Sequence, residues 1–220
     1  MSRIRCTALT LATVAAVAYP LGRTWARQWG STEAELDAAM PGDAIVPDAR
    51  AVATRSITVR ASADDVWAWL VQIGQDRGGF YSYDWLENLV GLHIRSADRI
   101  EEHWQGLAVG DAVRLAPQLA LEVALLEPGR HLVLRGPDSA LTWAFTVARR
   151  PDGTTRLVAR ERYAPGGVLA SLGSELLVLV SAAMTRRMLM GIRDRAEHPR
   201  SPSPDGHAPG SPDKPARRPS

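Results

Sequence analysis

The chain has 220 residues, 45% of them hydrophobic, which fits one domain with extensions better than two full domains. A formal charge of +2, with basic residues scattered along the chain, excludes an extended basic face for nucleic acid. The single Cys6 excludes an internal disulfide. Seven Trp and four Tyr against two Phe favour rings with a polar handle, as used in cavity walls, membrane interfaces and ordinary cores.

Arg3 and Arg5 precede an apolar run from Cys6 to Leu21, and Ala16-Val17-Ala18 offers a small-residue cleavage site. Residues 1–30 are therefore expected to be a secretory signal peptide or a retained membrane anchor. Either one predicts a protein of the cell membrane or one secreted into the cell envelope, with the N-terminal segment as its membrane contact. The run is short for a span of about 20 residues. Extending it to Trp29 requires Arg23 and Arg27 to snorkel. Residues 31–53 read as a short helix, capped by Ser31 or Thr32 and ended at Met40-Pro41-Gly42-Asp43, followed by a linker.

Alternation from Thr54 to Arg60 predicts a strand with Ile57 and Val59 on one face. Ser62 then caps a helix carrying Val66, Trp69, Leu70 and Ile73 on one stripe, with Asp65 at the third position. Arg77-Gly78-Gly79 breaks it, and a second helical piece follows with Tyr81, Trp85, Leu86 and Leu89 on a face. Residues 93–111 read as loop. Strands are predicted at 112–117, 119–128, 130–135, 141–150 and 154–163, the last two joined by a turn at Pro151-Asp152-Gly153. A long helix runs from near Gly167 to about Glu197 on the stripe Leu172, Leu176, Val180, Met184, Met188 and Ile192. Residues 198–220, rich in Pro, Ser and Gly, are expected to be disordered. The expected fold is α+β, with a curved antiparallel sheet burying one face against the long C-terminal helix.

This order of strand, two short helices, antiparallel strands and long last helix is similar to the START-like superfamily, also called SRPBCC or Bet v 1-like. More closely, the chain resembles an actinobacterial group within it. The shared stretches are Ser31 to Asp43, Thr54 to Leu92, Ser96 to Ile100, His103 to Asp111, Leu125 to Leu134, Thr142 to Phe145, and MGIRDRAEH at the end of the helix. GQDRGGFYSYDWLEN is the stretch most specific to it. The resemblance implies a helix-grip domain over 54–197 with an apolar cavity between sheet and last helix. Superfamily members include lipid carriers, plant ligand-binding proteins, cyclases and chaperone-associated modules, so the fold does not assign a function.

Candidate ligand contacts cluster where polar and aromatic residues are dense. Arg77 presents a fork for a carboxylate or phosphate, or for Asp84 or Glu87. Tyr81, Tyr83 and Trp85 suit a cavity wall or a sheet edge. Asp84 and Glu87, three apart, form either an acid–base pair or a solvated face. Trp104 is placed to cover a cavity and Gln105 to hydrogen-bond its occupant. Trp143 lies on an alternating strand. Arg160, Glu161 and Arg162 alternate, so either Glu161 or the arginine pair faces inward and needs a partner. His93 and His103 match no zinc spacing, and no Ser-His-acid set, P-loop, G-x-G-x-x-G or H-E-x-x-H is present. No catalytic residue, metal or cofactor is therefore assigned. Binding of a hydrophobic small molecule or lipid is the preferred reading. The others are a cyclase- or hydrolase-like enzyme on a bulky apolar substrate and a structural or partner-binding envelope protein.

Overall fold

The computed structural model describes residues 22–89, 91–164 and 174–198. Helical residues 22–28 (α1) and Glu33–Asp37 (α2) precede β1 (Ala51–Val59), α3 (Ala63–Val71) and α4 (Asp84–Leu89). Then come β2 (Ala112–Ala116), β3 (Leu119–Glu127), β4 (His131–Arg135), β5 (Leu141–Arg149), β6 (Thr155–Tyr163) and α5 (Ser174–Glu197). The six strands form one antiparallel sheet in the order β1-β6-β5-β4-β3-β2. Successive hairpins build five of them, and β1 returns to pair with β6 at the far edge. Register shifts at Arg114/Ala116 and Val123/Leu125 bend the β2–β3–β4 end of the sheet.

Strand alternation decides which side chains go inside. Ile57, Val59, Leu121, Val123, Leu132, Leu134, Phe145, Val147, Leu157 and Ala159 share the inner face. Against them pack Val66, Trp69, Leu70 and Ile73 of α3 and Met188, Leu189, Ile192 and Ala196 of α5. The α3 cap is as the sequence predicts: Ser62 Oγ accepts from the Asp65 amide at 3.1 Å. The helix stops earlier than expected, at Gln72, because Gly74 bridges Gly79 and starts a tight loop. On α5, Met188 and Ile192 are buried as the stripe requires, but Val180 is exposed. Leu172 and the side chain of Leu176 lie outside the described residues.

The outer face is closed by residues 30–47 through an arginine ladder on β6. Arg156 binds the Gly30 carbonyl and the Glu35 carboxylate, both at 2.6 Å. Arg160 reaches the carbonyls of Glu35 (2.6 Å), Leu36 (3.2 Å) and Ala38 (2.8 Å), together with Asp43 Oδ2 (2.8 Å). Arg162 takes those of Val46 (3.0 Å) and Pro47 (2.9 Å). At the open edge of β1, the Ser56 amide donates to the Trp29 carbonyl at 3.1 Å, so the edge is covered.

The N-terminal expectation is corrected. The run Cys6 to Leu21 lies outside the described residues, as do residues 199–220 of the tail. Among the described residues no helix is long and apolar enough to cross a membrane, which counts against the predicted membrane contact and membrane location. Residues 22–29 do not extend such a span. Ala26 is buried in the fold and its carbonyl accepts from Arg55 Nε at 2.8 Å, while the Trp29 ring lies 5.0 Å from the Arg186 guanidinium.

Candidate functional site

A cavity of about 260 Å³ lies between the inner face of the sheet and α5. Leu115, Leu119, Leu121, Leu141 and Trp143 form its sheet wall, and Met184 and Met188 its helix wall. Phe80, Leu92 and Ile94 close it from the 80–94 segment. Two polar groups of side chains break this apolar lining.

The first centres on Glu161. Strand parity turns it inward, beside Leu157 and Ala159, and it is 5% exposed. Its Oε1 accepts from Arg55 Nη1 at 2.8 Å and Thr185 Oγ1 at 2.7 Å; its Oε2 accepts from Tyr163 Oη at 2.7 Å and from Ser181 Oγ. Burial pushes this carboxyl up, but the Arg55 charge and the three hydroxyls outweigh it and hold the group below its ordinary range. Burial beside the same carboxylate drives the Tyr163 phenol well above its usual value. Four donors fill the carboxylate's acceptor capacity. Glu161 is therefore a fixed anion rather than a base. Arg55 itself is 1% exposed, and its Nη2 has no hydrogen-bond partner.

The second is Glu87, on α4, 3% exposed. Its Oε1 accepts from Ser82 Oγ, and its Oε2 is buried without a partner. Burial raises its pKa above the ordinary carboxylate value; the Ser82 bond opposes this and the neighbouring Asp84 charge adds to it. Trp143 Nε1 is likewise buried without an acceptor. Both residues line the cavity.

Of the residues expected to contact a ligand, Trp143 and Glu161 line this cavity, and most of the others bond within the joint beside it. Arg77 Nη2 donates to the carbonyls of Val71, at 3.1 Å, and Trp104 instead of pairing with Asp84 or Glu87. Tyr81 is buried, edge-on to Trp69 with centroids 5.6 Å apart, and its hydroxyl donates to the Trp69 carbonyl at 3.1 Å. The Tyr83 carbonyl receives the amides of Leu86 and Glu87 at the start of α4. Asp84 accepts from the Ser96 amide (2.8 Å) and hydroxyl (2.6 Å). Trp85 is 69% exposed. The Trp104 ring lies 4.7 Å from that of His103, tilted by 52°, and Gln105 Nε2 donates to the Ala68 carbonyl and to Gln72 Oε1, both at 3.2 Å. Among the described residues no cluster of three metal-ligating side chains occurs.

The sequence reading passed over Ser82, Tyr163, Ser181, Thr185 and Arg55. Two signals were present. Arg55 shares strand parity with Ile57 and Val59, and Ser181 and Thr185 stand four apart on the long helix. A larger hollow of about 450 Å³ lies by Glu122, Arg135 and residues 136–139. Its Arg135–Glu122 ion pair is exposed, and it lacks the continuous apolar wall of the first cavity.

No family model and no curated protein matches the chain. Solved structures do. The polyketide_cyc-like protein of Corynebacterium glutamicum is 19% identical, covering 64% of this chain and 88% of its own, at a TM-score of 0.41. DR_A0006 from Deinococcus radiodurans is 18% identical, covering 67% and 98%, at 0.37. The Aha1 dimer from Colwellia psychrerythraea is 13% identical, covering 67% and 96%, at 0.38. Likenesses this distant carry no functional argument. The chain's own strand order and last helix give it the helix-grip architecture of the START-like, SRPBCC superfamily.

Proposed function

We propose that this protein binds a small apolar molecule in the cavity between the sheet and α5, as a relative of the actinobacterial group that its Gly74–Asn88 stretch resembles. The supporting observation is the wall itself. Leucine, isoleucine, methionine and aromatic side chains surround about 260 Å³, and two buried polar atoms, Glu87 Oε2 and Trp143 Nε1, have no partner in the protein. Buried polar groups are ordinarily paired, and both of these belong to side chains in the cavity wall. Drug-sized pockets span roughly 300–1,000 Å³. The volume here favours a single-ring or short-chain compound over a long-chain lipid. The saturated hydrogen bonding of Glu161 weighs against a cyclase- or hydrolase-like mechanism that uses it as a base.

Calorimetric titration with phenylbutanol, a neutral probe of suitable size, tests the proposal. Saturable one-to-one binding is expected, abolished by Met184→Trp, which places an indole in the cavity. Binding that survives this substitution unchanged would put the probe elsewhere and sink the proposal.

A further inference from the structure

The cavity also has a sign. Among the described residues that line it there is no Lys, Arg or His, but there are two carboxyl groups. The two are not equivalent. Glu161 is neutralised by Arg55 and filled by four donors. Glu87 has the Ser82 hydroxyl on one oxygen and nothing on the other. The arginines near this region are turned to other work. Arg77 donates to backbone carbonyls, and Arg195 donates to the carbonyls of Ala97 and Gly191, its guanidinium 4.6 Å from the Tyr81 ring. Asp84, one turn before Glu87 on α4, adds negative charge and has its own oxygens occupied by Ser96.

We infer, resting on the binding reading above, that the cavity selects an apolar amine, bound as its ammonium ion beside the Glu87 side chain in its wall. An isolated carboxylate out of water is costly and is stabilised by a cation that arrives with hydrogen-bond donors. Phe80, Trp143 and Tyr163 line the same cavity, and aromatic faces attract a desolvated cation. Anionic molecules such as fatty acids are disfavoured, because their carboxylate would enter beside Glu87 with no basic side chain in the described wall to receive it. Burial already holds the Glu87 carboxyl above its ordinary range, and an ammonium partner reverses that shift.

Three probes with the same phenylbutyl body separate this inference from the reading beneath it. Phenylbutylamine, phenylbutanol and phenylbutanoate are titrated into the full chain at neutral pH. A hydrogen bond to a charged group predicts that the amine binds roughly ten- to a hundredfold more tightly than the alcohol. The acid should bind more weakly than either. Glu87→Gln should remove the amine's advantage over the alcohol. If that variant does not fold, the ranking on the unaltered chain decides alone. An alcohol or acid that binds as well as the amine overturns the inference and leaves small-molecule binding standing. Failure of all three to bind overturns both.

Discussion

Arg55 and Glu161 meet from adjacent strands, both on the core-facing parity and almost fully withdrawn from water. Such a pair gains little over apolar residues of the same shape, because desolvation cancels most of the attraction. Breaking it from one side is different, since the remaining charge stays buried. Arg55→Leu is therefore expected to cost about 3–5 kcal/mol in urea unfolding. Arg55→Leu with Glu161→Leu should recover much of that loss. A single variant within about 1 kcal/mol of the parent, where surface changes fall, would mean that the pair carries no such weight. The two cavity carboxyls also give opposite pH signatures. Glu161 binds its proton at lower pH in the folded state than in the unfolded one. Its contribution is present above the unfolded value of 4.5 and is lost as pH falls through the depressed folded value. Glu87 is raised, so its ionisation destabilises the fold as pH climbs from 4.5 through the raised value. Glu87→Gln should abolish that second slope, and Glu161→Gln part of the acid one, in unfolding curves recorded across the acid and neutral range. A neutral-side slope unchanged in Glu87→Gln would disprove the assignment.

At the scale of elements, two attachments decide how the cavity is framed. The first is the Tyr81 corner. Tyr81 sits at φ +57°, a left-handed conformation that an L residue adopts only when its surroundings hold it there. Its amide donates to Ser96 Oγ at 2.9 Å, and α5 presents Gly191 to it. A β-carbon on Gly191 would fall on the Tyr81 carbonyl and 2.6 Å from its Cβ. Gly191→Ala is thus expected to destabilise by about 1–3 kcal/mol through overpacking. That is opposite in sign to the usual effect of replacing a helical glycine with alanine, so thermal unfolding of the variant gives a clear answer. The second attachment is the arginine ladder. Arg160 holds three carbonyls and a carboxylate at once, which lysine cannot reproduce. Arg160→Lys should speed amide exchange across residues 34–45 while the sheet stays protected; unchanged exchange there would show that the other arginines suffice. These elements also separate what the sequence revealed from what it concealed. Period-two alternation disclosed β1 and β5, short runs between turn signals the other four strands, and the Ser62 cap disclosed α3. The ladder stayed hidden because alternation says only that Arg160 and Arg162 lie opposite Glu161, not what covers either face. Nothing local says that a distant segment, 30–47, will lie on them. The loop around Arg77 stands out in the sequence by its density of polar groups, and Arg77 itself holds backbone carbonyls. Single-chain patterns do not distinguish backbone-binding side chains from ligand-binding ones.

For the whole molecule, the sheet is sealed unevenly. Its outer face at the β1–β6 end is stapled down and its β1 edge is covered, while the inner face leaves a hollow against α5. Unfilled space beside a core forfeits packing contacts, and this cavity of about 260 Å³ is left unfilled. A fold shaped only for stability would have closed this gap with larger side chains. Met184 and Met188 line it instead, and both are unbranched and able to repack around an occupant. The consequence is a trade between stability and binding. Met184→Trp should raise the unfolding free energy by roughly 0.5–2 kcal/mol, as cavity-filling changes commonly do, and should abolish probe binding at the same time. The unaltered chain should gain stability only from ligand, by about 2.7 kcal/mol at a hundredfold excess over Kd. Met184→Trp, with its cavity occupied by its own side chain, should gain none. A variant that lost stability yet kept its response to ligand would show that the hollow is ordinary packing slack and that the ligand binds elsewhere. Gained stability together with a lost ligand response would tie the unfilled space to binding.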